Sequence, residues 1–599
     1  MSRTSSAEES ANVLAEAFES VFVLEPHELP EVDIPDLSSD NILTDVNISH
    51  ESVKAALESL NPFKSIGADN IHPKLLKSLA GDDQFVNAIV ELFRDCIDTE
   101  SIPSIWRTAI LAALFKNGPK IYPLNYRPIS LTCILSKVFE RIIRDDILKF
   151  VENKLTDEQH GFMKGKSCLT NLLETFDCIL DLLEEGAPVD LFYFDFKKAF
   201  DHVPHKRLLL KLERLGIRGK LLEIIRVFLT DRTFKVSVEG KFSDIKKVLS
   251  GIPQGSVLGP LLFLLFVNDL PEYVESIIKL FADDLKLIGN ASNRKLIDND
   301  LRNLELWEKT WLVGFNHDKC KVMHIKHNNN KNLKYELDGN TIEESVLEKD
   351  LGVLTSDTML WTEQIKTSID KANKIICWIA RNLISRDVLV MNRIYKALVR
   401  HHLEFCVQLW NPATEHGNWS QILRIEGVQR RFTRMIDGVG LLPYSERLAI
   451  LGLTTLVERR ARGDLIEVFK AKCNFSNVKG VLKFGRSGVN LLSNLNKNDS
   501  TKLRSLKRNF INDRVRPFWN KLPMYVKNSS SINCFKSNLE SFKSLIISSG
   551  VSGQGHFWEL SNEVMDRIEN ENYMLNKEKH NVYLKSNPFV AKKKFININ

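Results

Sequence analysis

The pattern of apolar and polar positions changes character several times along the chain. From Ser52 to Leu79 it predicts a helix, a glycine-containing turn (Lys64-Ser65-Ile66-Gly67-Ala68-Asp69) and a second helix. Helical periodicity continues through Val86–Asp98 and resumes over Ser136–Val151. Between them, the apolar, partly β-branched run Thr108–Phe115 and the turn signal Asn117-Gly118-Pro119 predict two short strands. Residues 190–290 alternate strands with helices. One helix is expected from His205 to Leu229, with Leu208, Leu209, Leu212 and Leu215 on one face against Lys206, Lys211 and Arg214. Leu261–Val267 reads as a buried helix. Residues 365–470 are mostly helical and strongly basic, and 471–545 remain basic. Residues 1–50 are acidic and rich in Ser, Pro and Asp, with one amphipathic stretch near Ala11–Val23. After Ser548-Ser549-Gly550-Val551-Ser552-Gly553 the composition shifts to Asn, Glu and Lys. No internal repeat is visible.

Composition narrows the class. A chain of 599 residues with 43% apolar positions is globular and too long for one hydrophobic core. Its net charge is only +6, so a nucleic-acid partner has to be met by local basic surfaces rather than by overall charge. The nine cysteines are scattered without zinc spacing or an obvious disulfide framework. The N-terminus lacks the apolar core of a secretion signal, and Gly259–Val267 is too short to span a bilayer, so no membrane and an intracellular site, cytoplasm or nucleus, are expected.

The candidate chemistry lies in acids that interrupt apolar strands. Asp195 sits in Tyr193-Phe194-Asp195-Phe196, and Asp283-Asp284 sit between Ile277–Ala282 and Leu285–Ile288, at the tip of an expected hairpin. A carboxylate at the end of a buried strand is costly unless it is paired or holds a metal. Two such strands side by side suit two Mg²⁺ ions, which take a few carboxylate oxygens together with substrate phosphates. A pair of metals can activate a 3′-hydroxyl and stabilise leaving pyrophosphate. Neighbouring side chains on a strand point to opposite faces, so Asp283 is expected to be the firmer ligand of the two. Asp201, six residues beyond Asp195, is expected to cap the following helix.

Two glycine-rich segments need separate treatment. Ser250-Gly251-Ile252-Pro253-Gln254-Gly255-Ser256-Val257-Leu258-Gly259-Pro260 specifies a tight loop where backbone approaches something closely. It is equally a plain strand-to-helix turn or a floor beneath a base pair, with Gln254 beside an incoming nucleotide. Gly161-Phe162-Met163-Lys164-Gly165-Lys166-Ser167 is one residue short of the phosphate-loop pattern and follows no strand, so an ATPase is not supported. Lys164 and Lys166 are better placed to meet a template backbone.

Six motifs follow in order: Asn125-Tyr126-Arg127-Pro128-Ile129-Ser130-Leu131; His160-Gly161-Phe162 with Lys164–Ser167; Asp195-Phe196 with Lys198-Ala199-Phe200-Asp201; Gly251–Pro260; Phe281-Ala282-Asp283-Asp284; and Phe315-Asn316 with Lys319-Cys320-Lys321. This set closely resembles the reverse transcriptase of non-LTR, LINE-type retrotransposons of the jockey-like kind, over roughly residues 50 to 545. The resemblance implies an α+β fold of the right-hand polymerase type, with fingers, palm and thumb and a helical C-terminal extension. The corresponding expectation is a loosely ordered lead-in (1–50), fingers (51–190), palm (191–364), thumb (365–470), a basic C-terminal region (471–548), and a linker with an unassigned tail (549–599).

The same resemblance implies RNA-directed DNA synthesis, with an RNA template, a DNA primer, dNTPs, and two Mg²⁺ ions or Mn²⁺ in their place. Asp195, Asp283 and Asp284 fall on the catalytic, metal-holding aspartates, and Lys319 on a lysine that protonates pyrophosphate. Phe200 falls on the aromatic gate that crowds a ribose 2′-hydroxyl. Lys116, Arg127 and Gln254 fall on nucleotide-binding positions. Arg430, Arg431 and Arg434 fall in the thumb, where, with Lys164 and Lys166, they meet template and primer phosphates. The basic stretches near Arg424 and Arg459-Arg460-Ala461-Arg462 belong to the same expected duplex-facing region.

Three departures stand out. Only about 50 residues precede the polymerase-like region, so an endonuclease is not expected in this chain. Lys116–Pro123 is shorter than the family's usual link, and the tail after Gly550 resembles nothing assignable. An RNA-dependent RNA polymerase is the rival enzyme, disfavoured by Phe200 and by Ala282 ahead of the acids. A catalytically inactive, truncated element fragment that only binds nucleic acid is the rival of another class.

Overall fold

In the computed structural model the chain divides into two compact units. The first comprises Met1–Lys164, Asp190–Val322 and Asn329–Glu344; the second comprises Gly165–Val189, Met323–Asn328 and Ser345–Asn599. The structure describes residues 6–31, 34–35, 37–38, 41–325, 334–412, 418–550 and 555–568. Helices and sheets are both present. Among the described residues, no helix is long and apolar enough to cross a membrane.

The helices begin with α1 (Ala7–Glu19), α2 (His50–Glu58), α3 (Pro73–Ser78), α4 (Asp83–Asp98) and α5 (Ile134–Val151). Beyond the second unit's α6 (Cys168–Glu184) come α7 (Ala199–His202), α8 (His205–Arg214), α9 (Gly219–Leu229), α10 (Gly259–Val267) and α11 (Arg294–Trp311). The first unit's strands include β1 (Thr108–Phe115), β2 (Tyr126–Leu131), β3 (Val189–Asp195), β4 (Thr233–Val238), β5 (Lys241–Phe242), β6 (Lys246–Lys247), β7 (Ile277–Phe281) and β8 (Asp284–Asn290). One sheet runs β2-β1-β4-β5, with β6 also on β4; β1 is antiparallel to β2 and parallel to β4. The other contains β3, β8 and β7 as successive neighbours.

These elements follow from local chemistry. Asp82 caps α4 by accepting the Gln84 and Phe85 N–H groups, and Val86, Ile89, Val90, Phe93 and Ile97 recur at helical spacing on its buried face. Nine consecutive residues of α10 are almost all buried, as its unbroken apolar run requires.

The first unit corrects three expectations. The described part of 1–50 is not a loose lead-in. Ala15 and Phe18 of α1 pack on Ala109, Leu111, Phe234 and Val236, because one face of the β1/β4 sheet is otherwise uncovered. Glu25 then accepts the Lys206 and Arg207 N–H groups and pairs with the Arg207 guanidinium at 3.0 Å, closing the start of α8 where Pro204 offers no side-chain cap.

The helix expected from His205 to Leu229 is two helices, broken at Gly216. That residue has φ +96°, and a Cβ there would lie 2.3 Å from the Asn41 carbonyl. The break lets Leu43 and Ile217 form a β-bridge. Lys211, expected on the polar face, is buried. Its Nζ donates to the Phe266 carbonyl at 2.6 Å and to Asp269 at 2.7 Å, and lies 3.8 Å from the Trp311 ring centre. Burial pulls its pKa down to about 8.

The second unit is helical in most of its described length. Its main elements are α12 (Thr362–Asn382), α13 (Val388–Ile394), α14 (Val407–Trp410), α15 (Trp419–Thr433), α16 (Tyr444–Leu451) and α17 (Leu456–Lys472). Ile422, Ile425, Val428 and Phe432 form the buried stripe of α15. The buried Glu426 accepts the Tyr444 hydroxyl and the Leu456 N–H, and Arg514 grips Asp464 at 2.9 Å. Of the arginines expected to face a duplex, Arg460 is buried, whereas Arg459 and Arg462 are partly exposed. Arg459 pairs with Glu404, Arg460 is buried against Asn411, and Arg462 pairs with Glu540.

Part of the supposed tail is also structural. Ser561 bonds Thr455 and Glu458, and Trp558 and Val564 are buried. Residues 551–554 and 569–599 lie outside the described residues.

Candidate active site

The hairpin of β7 and β8 pairs Phe281 with Asp284, leaving Ala282 and Asp283 as its two-residue tip. Ala282 has φ +54°, the left-handed conformation that a tight hairpin turn needs. Sequence reading placed the acids here but missed what holds the tip. The buried Gln159 accepts the Ala282 N–H at 2.9 Å and the Gly161 N–H at 2.7 Å through one amide oxygen. His160 N–H donates to the Leu280 carbonyl, and a Cβ on Gly161 would lie 2.4 Å from the Ala282 nitrogen. The His160-Gly161-Phe162 motif is therefore a backbone brace for the acid turn. A glycine is required at 161 because two backbone segments touch there. The available signal was a glutamine one residue ahead of an apolar motif.

Replacing Gln159 with leucine keeps the volume and removes both acceptances. The variant is expected to be less stable by about 2 kcal/mol or more in denaturant melts, from two backbone donors left unmet. Melts that match the parent protein would remove Gln159 from its bracing role.

β3 brings the third acid alongside. β3 and β8 are neighbours of seven residues each. A Cβ on Gly289, near the end of β8, would lie 3.8 Å from the carbonyl of Asp190, near the start of β3. Only opposite strand directions keep both strands paired from that point. The last residue of β3, Asp195, therefore lies beside the first residue of β8, Asp284.

Asp195 is partly exposed and accepts from Lys319 Nζ at 2.7 Å. The backbone carries Lys319 there: Asn316 N–H donates to the Asp195 carbonyl, and Lys197 N–H to the Gly314 carbonyl. Lys319 and Asp195, 124 residues apart, thus share one ion pair.

The glycine-rich loop packs directly on the residues after Asp195. Ile252 N–H donates to the Phe200 carbonyl at 2.7 Å, and a Cβ on Gly251 would lie 2.6 Å from the Asp201 carbonyl. Gly255, at φ +130°, is equally tight against Ser130 of β2. Asp201 is not a helix cap. It lies within α7, and its carboxylate accepts from Gln254 Nε2 at 2.8 Å. Burial pushes its pKa up, while Gln254, Lys198 and Arg127 draw it back. Phe200 stacks on Phe263 with ring centres 4.8 Å apart. Arg127 is exposed on β2 opposite Leu114, and Lys116 follows β1 with its N–H on the Asn125 carbonyl.

Glu140 is the second residue that sequence reading missed. From the buried face of α5 it accepts the Val257 and Leu258 N–H groups at 2.6 and 3.2 Å, and it bonds Ser136. It thereby anchors the loop between Gln254 and α10. The signal was an acid on the stripe Ser136, Glu140, Ile143, Ile147, where the helical period predicts apolar residues.

The donor chemistry of Asp195, Asp283 and Asp284 fits a divalent ion: half-exposed or exposed carboxylate oxygens at adjoining strand ends, open to further ligands. Among the described residues, no three His, Cys, Asp or Glu side chains are gathered into a closed cage. An open set of this kind suits an ion completed by substrate phosphates.

Lys164 is exposed in the first unit. In the second, Ser167 caps α6 through a reciprocal pair with Thr170, so the Gly165-Lys166-Ser167 segment is a helix start. Arg431 is exposed and bonds Asn373, while Arg430 and Arg434 line a cavity with Arg447.

Residues 116–364 match the family model described as reverse transcriptase (RNA-dependent DNA polymerase). The chain is 27% identical to the "RNA-directed DNA polymerase from mobile element jockey" of Drosophila melanogaster, over 64% of this chain and 44% of that protein. It is also 27% identical to the "Probable RNA-directed DNA polymerase from transposon BS" of the same species, with the same coverage. A more distant match, 27% identical over 40% of this chain and 34% of the relative, is the "Retrovirus-related Pol polyprotein from type-1 retrotransposable element R2" of Popillia japonica. The chain spans less than half the length of these curated relatives. Residues 116–364, which hold all three strand-end acids, are thus the segment similar to the reverse transcriptase family model, and the relatives matched around it come from mobile elements such as jockey.

Proposed function

We propose that this protein is an RNA-directed DNA polymerase that extends a primer 3′-hydroxyl with dNTPs on an RNA template. The observation that carries the reading is the meeting of Asp195 with the Asp283–Asp284 turn at adjoining strand ends. Asp195, Asp283 and Asp284 would hold divalent ions, Mg²⁺ by preference and Mn²⁺ as a substitute. Bound there, such ions lower the pKa of the attacking hydroxyl and neutralise charge on the leaving pyrophosphate.

The chain's own residues do the rest. The primer 3′-hydroxyl gives its proton to water as its oxygen attacks the α-phosphorus, the bond from that phosphorus to the oxygen bridging the β-phosphate breaks, and the leaving pyrophosphate takes a proton from Lys319, which solvent restores. The ammonium of Lys319 stands at the Asp195 carboxylate, within reach of that event. Arg127 and Lys116 neutralise the triphosphate, and Gln254, steadied by Asp201, floors the nascent pair. Phe200, backed by Phe263, crowds a 2′-hydroxyl. In right-hand terms, the β1/β2 hairpin belongs to the fingers (51–190), the acid strands to the palm (191–364) and α12–α17 to the thumb (365–470). Lys164, Lys166 and Arg431 contact template and primer phosphates.

The test is incorporation by the purified chain on a homopolymer RNA template with a DNA primer and Mg²⁺. dNTPs should be used and rNTPs rejected. Phe200→Val should raise rNTP use by about tenfold to a hundredfold through the space it opens. RNA binding without any incorporation would favour an inactive, binding-only fragment.

A further inference from the structure

We propose that the cavity between the end of α15 and the start of α16 binds one nucleotide unit, its phosphate on Arg430, Arg434 and Arg447 and its base on the facing apolar wall. The inference rests on the reading that this protein handles nucleic acid. It assigns Arg430 and Arg434 to a nucleotide-sized pocket rather than to an extended backbone track.

The cavity has a volume of about 490 Å³, large enough for one nucleotide. Its walls are of two kinds. Arg430, Arg434 and Arg447 supply three guanidinium groups to its lining, and Leu442, Met565 and Ile568 supply apolar surface. Arg447 is only 2% exposed. Its Nη1 is satisfied by the Arg430 carbonyl at 2.9 Å and the Thr433 hydroxyl at 2.7 Å. Its Nε has no hydrogen-bond partner. Among the described residues, neither Arg434 nor Arg447 has a carboxylate partner. Burial, together with the charges of Arg434 and Arg430, makes the Arg447 guanidinium easier to deprotonate than usual.

A buried cation facing two more cations with an unmet donor is a costly arrangement that an anion relieves. The adjoining helix strengthens the field. α16 is eight residues long, begins at Tyr444 after Pro443, and has no side-chain cap on its first turn. Glu446 lies in that turn but does not line the cavity. A bare phosphate leaves the apolar wall unused, whereas a nucleoside phosphate covers both surfaces, with guanidinium planes and aliphatic side chains against the base.

The test uses the purified full chain in EDTA, so that binding is read without polymer chemistry. AMP, inorganic phosphate and a short labelled single-stranded RNA are compared by fluorescence anisotropy and competition. Arg434→Gln removes one cation at an exposed position, and Met565→Trp fills the apolar side; thermal melts confirm that each variant folds. AMP is expected to bind saturably and to compete with the RNA, with phosphate much weaker. Each variant should weaken AMP by about tenfold or more, the weight of one charge-assisted hydrogen bond or of a filled pocket. Tighter RNA than AMP identifies a strand as the source, and equal binding identifies a free nucleotide; both sustain the site. Absence of AMP binding, equal competition by phosphate, or variants that bind AMP like the parent protein overturns it. Failure of the polymerase reading shows separately, as missing dNTP incorporation while AMP binding persists.

Discussion

Asp283→Ala should lower dNTP incorporation by on the order of 10³-fold while leaving the fold intact. The expectation has two parts. The hairpin tip is held by the Gln159 amide and by strand pairing, not by the Asp283 side chain, so truncation leaves the backbone in place. The side chain is partly exposed, so its removal opens no cavity. What is lost is a carboxylate at the proposed metal site, and the several kcal/mol of charge stabilisation it supports correspond to about three decades in rate. Single-turnover extension on a homopolymer template, with melting curves as the control for folding, reads this directly. Incorporation within about tenfold of the parent would move the catalytic centre away from this turn. Asp195→Asn should be comparably severe, with the added loss of the Lys319 ion pair.

Glu140→Ala should be the most damaging substitution to stability near the site. Its carboxylate accepts two backbone N–H groups and bonds Ser136 while fully buried, and the nearest compensating charge is Arg232, itself 2% exposed. Truncation leaves two buried donors unmet and a buried guanidinium without its counter-charge, at about 3–5 kcal/mol. Glu140→Gln keeps an oxygen for the N–H groups and loses only the charge, so it should cost less.

The two variants also separate by pH. Burial raises the Glu140 pKa above its ordinary 4.5, so the folded state holds the proton more tightly than the unfolded state. The stability it contributes is full below pH 4.5 and declines as pH rises through the raised value. The advantage of the parent over Glu140→Gln in denaturant melts should therefore shrink as pH rises. A gap that widens instead would mean that the carboxylate, not the acid, is the favoured buried form. Because Glu140 holds Val257 and Leu258, destabilisation should also raise KM for dNTP through the Gln254 loop.

The elements nearest the chemistry were legible in the sequence for a physical reason. A strand hairpin with acids at its tip is a local pattern, set by period-two alternation and the conformational demands of a two-residue turn. The glycines at 251 and 255 likewise announced close backbone contact, and the structure supplies the partners, Asp201 and Ser130. Buried polar residues were harder to assign. Lys211 looked like one of three cations on a solvated face, because its partners Asp269 and the Phe266 carbonyl lie more than fifty residues away. The acids that pair with Arg459 and Arg462, Glu404 and Glu540, are likewise more than fifty residues away.

Local order thus determined which segments are strands and helices, where the acids stand within them, and the motif succession that marks the family. Tertiary structure alone decided that β3 and β8 run side by side, that Lys319 meets Asp195, and that Gln159 and Glu140 brace the turn and the loop. The division follows from range. Periodicity and turn chemistry act over a few residues, whereas an ion pair or a buried hydrogen bond joins residues 124 or 117 positions apart, and only folding selects which of many partners it will be.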